Sequence, residues 1–94
     1  MNAKRIEENL RDASDAGVQL LLTDADIALT FLDAAKISAN KEGRSRRIHE
    51  ARKAYDSILH LMTHLKPDPA QLEVLNKRIS KLRQRLIEAG GLER

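Results

Sequence analysis

Residues 66–91 read KPDPAQLEVLNKRISKLRQRLIEAGG, and their pattern is that of one capped helix. Asp68 can accept a hydrogen bond from an orphan N–H as N-cap. Pro69 suits the first helical position, where its missing N–H has no partner to lose. Gln71 can reach back to complete a capping box. Leu72, Leu75, Ile79, Leu82, Leu86 and Ala89 then step by 3, 4, 3, 4 and 3 residues, which sets them on one helical face. Lys81, Arg83 and Arg85 complement the negative end of the dipole, and Gly90-Gly91 tolerates the left-handed cap. The spacing predicts a helix over 69–89.

The same grammar repeats upstream. Ile48, Ala51, Tyr55, Ile58, Met62 and Leu65 again step by 3, 4, 3, 4 and 3. Ala54, Leu59 and Leu61 widen that stripe into a face suited to packing between two other helices. Ser45 is the expected N-cap, and Pro67 ends the element because the residue before a proline avoids the α region. An earlier helix is expected from Thr23, with Asp24 and Asp26 in its first turn and a face made of Ile27, Ala28, Phe31, Leu32, Ala35 and Ala39. Asn40–Arg44 is read as the loop after it. Three antiparallel helices follow, at about 23–39, 45–66 and 69–89, because short connections make sequential helices antiparallel neighbours. No stretch alternates long enough to predict a strand.

Residues 1–22 are helical in period, and two readings are open. Ile6, Leu10, Ala13, Gly17 and Leu20 step by 4, 3, 4 and 3. Gly17 and the start signal at Thr23 predict a break, which would make 1–22 a separate segment before a bundle at 23–94. The unbroken register predicts instead one helix from about Ala3 to Ala39.

Composition narrows the functional classes. Ninety-four residues with 41% hydrophobic and 33% charged side chains are one domain's worth of globular chain. The absence of Cys removes disulfides, thiolate zinc sites and thiol nucleophiles, and it fits a reducing, cytoplasmic setting. The longest aliphatic run, Leu20-Leu21-Leu22, is far short of a bilayer span, so no membrane role is expected. One Phe, one Tyr and no Trp cannot build a stacking platform for single-stranded nucleic acid. No nucleophile-elbow or zinc-helix motif occurs, which predicts a non-enzymatic protein without cofactor. Charge is segregated: residues 1–40 hold four basic against seven acidic side chains, and residues 41–94 hold thirteen against seven. These parts can complement each other within a chain or between chains.

Four groups are candidate sites. Ile6, Leu10, Leu20, Leu21 and Leu22 lie outside the three-helix core and are the expected docking face, most simply for a second copy of the chain. Arg44, Arg46, Arg47, Lys77, Arg78 and Lys81 are the alternative, a polyanion or nucleic-acid surface, although acidic residues are interspersed among them. His60 and His64 stand one turn apart but lack the third ligand that zinc wants, so a solvated polar face is expected there. Tyr55 lies mid-face among aliphatics as a packing anchor, or as a groove residue.

Ala51-Arg52-Lys53-Ala54-Tyr55, with Ile58, Leu59 and Leu65, resembles the second helix of a tetratricopeptide-type hairpin. The layout of Phe31, Leu32 and Ala35, then Asn40 and Gly43, then Ala51 and Tyr55, then Lys66 and Asp68, then Leu75 and Leu82 resembles the microtubule-interacting-and-trafficking domain over residues 23–89. The tetratricopeptide Trp is absent and no second repeat follows, so a repeat array is excluded. The chain is also similar to small bacterial helical proteins that carry no functional residues to transfer. The resemblance implies an architecture that docks helices or peptides in grooves. The expectation is an all-α antiparallel three-helix bundle with an additional N-terminal helical segment, acting as a protein-interaction and oligomerisation module.

Overall fold

A computed structural model describes the backbone of residues 3–93 and the side chains of residues 15–93. Three helices carry the described chain: α1 (Ala3–Lys36), α2 (Lys41–Met62) and α3 (Pro69–Ala89). The all-α bundle is as expected. Its third helix has the predicted bounds, because its ends are fixed locally. Asp68 is extended, its Oδ1 accepts from the Gln71 N–H at 2.8 Å, and Gln71 Oε1 accepts from the Asp68 N–H at 3.0 Å. At the other end Gly90 takes φ 82°, a left-handed conformation that suits glycine, and its N–H donates to Ile87 and Leu86 carbonyls.

The helix ends set by longer-range or competing signals differ from expectation. The cap of α2 is Asn40, not Ser45. Asn40 is extended and its Oδ1 accepts from the Gly43 N–H at 2.6 Å. An Asn cap outweighs the modest cost of one glycine in the first turn. The helix stops at Met62, short of residue 66, because Thr63, His64 and Leu65 each donate to the carbonyl three residues back. These tighter turns unwind the chain before Pro67. The first helix ends at Lys36, short of residue 39. The Ser38 hydroxyl donates to Ala34 O at 3.0 Å and leaves Ile37 86% exposed.

The expected break before Thr23 does not occur, and α1 runs through Gly17 and Thr23 without interruption. Gly17 serves a tertiary contact there. A Cβ at Gly17 would stand 2.6 Å from Leu65 Cδ2, so glycine lets the α2–α3 connection lie against α1. The core also crosses residue 22. Val18 and Leu21 pack in the same cluster as Ala25, Ala28, Leu32, Tyr55, Ile58, Leu75, Leu82 and Leu86.

On α1 the core row is Val18, Leu21, Ala25, Ala28, Leu32 and Ala35, all buried. Its steps of 3, 4, 3, 4 and 3 are those of a coiled-coil seam. Ala51, Tyr55 and Ile58 face it from α2, and Leu75, Ile79, Leu82 and Leu86 from α3. Tyr55 is buried as expected, and among the described residues no buried side-chain N or O lacks a partner. Two face assignments are corrected. Ile27 is 49% exposed, and Leu29, outside the expected face, is buried. The stripe keeps Ala28, Leu32 and Ala35 and shifts its flank from Ile27 toward Ala25 and Leu29, because it must meet α2 and α3 together.

Candidate docking surface

The first helix carries a second apolar row beside its core row. Leu20 is 56% and Ile27 49% exposed, seven residues apart on the outer flank. In sequence Ala13 and Ile6 precede Leu20 and Ile27 at the same seven-residue spacing, with Leu10 one turn beyond Ile6. The side chains of Ile6 and Leu10 lie outside the described residues. The expected docking triplet is split by helical geometry. Leu20 faces outward. Leu21, 1% exposed, belongs to the intrachain core and is withdrawn from the docking face, and half-buried Leu22 packs against that core. Adjacent residues on a helix point about 100° apart, so three consecutive leucines cannot share one surface.

Helix lengths place this row. At 1.5 Å per residue α1 spans about 51 Å, against about 33 Å for α2 and 32 Å for α3. Among the described side chains of α1, Asp15 meets the start of α3: its Oδ1 accepts from Gln71 Nε2. Residues 3–14 extend the helix beyond that point.

The acidic and basic halves of the sequence meet inside the chain. Arg78 pairs with Asp26 and Arg85 with Asp33. Both pairs are 52 residues apart, so α1 and α3 run parallel with matching seven-residue rungs. The hydrogen bond from Arg85 holds the Asp33 carboxyl below the usual carboxylate range, with Lys36 and Lys81 adding to the positive field. These partners were not singled out from sequence, although the shared seven-residue spacing of Asp26/Asp33 and Arg78/Arg85 was a usable signal. Two of the seven acidic side chains of residues 1–40 are thereby engaged within this chain.

The candidate polyanion residues do not form one surface of available cations. Arg47 Nη1 donates to Ser38 Oγ at 2.6 Å, and Lys77 pairs with Glu73 at 3.3 Å. Arg78 is held by Asp26. Arg44, Arg46 and Lys81 are exposed, and Arg44 and Arg46 enter no ion pair among the described residues. His60 and His64 meet edge to face at 5.2 Å between centroids. Among the described residues no third His, Cys, Asp or Glu joins them as a metal-ligating group.

Leu59, Leu61, Leu72 and Val74 are also exposed, at 39–47%, on α2 and α3. No helix among the described residues is long and apolar enough to cross a membrane. No protein-family model matches this chain, and no curated protein or solved structure matches it either.

Proposed function

We propose that the protein is a non-enzymatic interaction module that pairs with a second copy of itself along the outer flank of α1. The observation that carries this reading is the apolar row left uncovered by the chain's own core: Leu20 and Ile27 exposed, in line with Leu10 and Ile6 of the sequence. Aliphatic residues repeating every 3.5 positions make a seam for another helix. Most helical stability comes from packing an amphipathic face, and α1 outruns both intrachain partners. Over residues 3–14 the chain holds Lys4, Arg5 and Arg11 against Glu7, Glu8 and Asp12, so net charge does not oppose self-pairing. Asp24 interrupts the row between Leu20 and Ile27. Parallel, in-register pairing would set two Asp24 carboxylates against each other, so the favoured arrangement is an antiparallel two-fold dimer.

We place this module in the cytoplasm, a setting supported by the absence of cysteine. Groove docking of the kind the helical-hairpin resemblance implies is compatible with the same face. Polyanion binding through Arg44, Arg46 and Lys81 is the alternative, and it ranks lower because Arg47, Lys77 and Arg78 have partners inside the chain.

Light scattering on the full chain and on the double variant Leu20→Glu/Ile27→Glu tests the reading. Both positions are exposed, so circular dichroism of the variant should stay that of a folded helical chain. The variant should shift to monomer where the wild type is a dimer. A variant that keeps the wild-type mass would remove the interface from this flank.

A further inference from the structure

At the end of the bundle remote from Asp15, α1 stops, α2 starts and α3 finishes around a cavity of about 350 Å³. Its floor is apolar, made by the buried Leu32 and Ala35 of α1 and the half-buried Ile48 of α2. Its rim is cationic, with Lys36, Arg44 and Arg85 against one carboxylate, Glu88. The neighbouring arginines have structural work. Arg47 bonds the Ser38 hydroxyl, Arg52 donates to the Gly91 carbonyl at 3.0 Å and pairs with Asp56, and Arg85 is held by Asp33. Arg44 is different. It lines the cavity, is exposed, and among the described residues donates no side-chain hydrogen bond and enters no ion pair.

We propose that this cavity binds a small amphiphilic monocarboxylate, with its alkyl body on Leu32, Ala35 and Ile48 and its carboxylate on the Arg44 guanidinium beside Lys36. The planar fork of arginine matches a carboxylate's two oxygens, which makes Arg44 the recognition group and Lys36 a supporting charge. Ligand cavities run from about 300 to 1,000 Å³, so this one suits a single short or medium chain rather than a two-tailed lipid. Glu88, which accepts from Gln84 Nε2 at 3.2 Å, repels a second carboxylate at the rim and so selects against diacids. The site lies at the opposite end of α1 from residues 3–14 and stands independently of the dimer proposed above.

The test is an NMR titration of the isotope-labelled full chain with octanoate, alongside octanol and acetate, which carry the body and the charge separately. Octanoate should give saturable shifts at the Ala35, Arg44 and Ile48 amides and bind more tightly than either control. Arg44→Ala should weaken binding by at least about tenfold, since a hydrogen bond to a charged group is lost. Ala89 also lines the cavity and is exposed, so Ala89→Phe should fill the space, leave the fold intact and abolish the shifts. Octanol binding as tightly as octanoate, or an Arg44→Ala chain with unchanged affinity, would overturn the proposal. So would shifts that fail to saturate or that map away from these residues.

Discussion

Leu20 and Leu21 differ by one position in sequence, and their exposures are 56% and 1%. Truncation to alanine should therefore separate them. Leu21→Ala opens a cavity in the core and is expected to cost about 3 kcal/mol. Leu20→Ala, measured by urea unfolding at concentrations low enough to keep the chain monomeric, should stay within about 0.5 kcal/mol of wild type. Equal losses at the two positions would mean that the core row of α1 is not the Val18–Ala35 register. Tyr55 makes the same point on α2. It is 6% exposed, so Tyr55→Ala should remove about 3 kcal/mol, a large share of the stability of a small domain. A melting temperature unchanged by that substitution would contradict its place in the core.

At the scale of single helices, α3 was legible end to end because both its caps are local. Asp68, Pro69 and Gln71 act within one turn, and Gly90 supplies the left-handed exit. Asp68→Ala should cost about 1 kcal/mol. Gly90→Ala should also cost about 1 kcal/mol, because at φ 82° the penalty is conformational and no atom stands within 4 Å of an added Cβ. A Gly90→Asn chain recovering part of that loss would identify the left-handed backbone as the cause. The first helix was less legible. Gly17 reads locally as a breaker, and only the approach of Leu65, far along the chain, shows why a glycine stands inside a continuous helix. Its apolar residues form two rows one residue apart, and local spacing cannot tell which row the chain itself covers. Of the expected docking residues, Leu20 is exposed, while Leu21 is buried through contacts with α2 and α3 that local spacing does not reveal. Between α1 and α3, the Arg85–Asp33 pair adds a pH dependence. Because the Asp33 carboxyl is held below 3.8 in the folded chain, the unfolded chain binds that proton more readily. The contribution is present above about pH 4 and is lost as pH falls through the lower folded value. Asp33→Asn should therefore flatten the decline of the urea midpoint below about pH 4. A variant that declines as steeply as wild type would show that Arg85 does not hold this carboxylate.

For the whole molecule, the uneven helix lengths are the central feature. The ion pairs across α1 and α3 are exposed to solvent, so they fix register more than stability. On the 34-residue α1, Leu20 and Ile27 stay exposed on the outer flank, and we propose that this flank is buried against a second copy. Removing residues 1–22 would not test it, because Val18 and Leu21 belong to the core of the bundle itself. The direct measurement is sedimentation equilibrium of the unmodified full chain from about 1 to 100 µM, a range that brackets a micromolar dissociation constant. Self-pairing predicts a mass rising to twice the 10.6 kDa of one chain across that range. A particle that stays at 10.6 kDa at the highest concentration would contradict it.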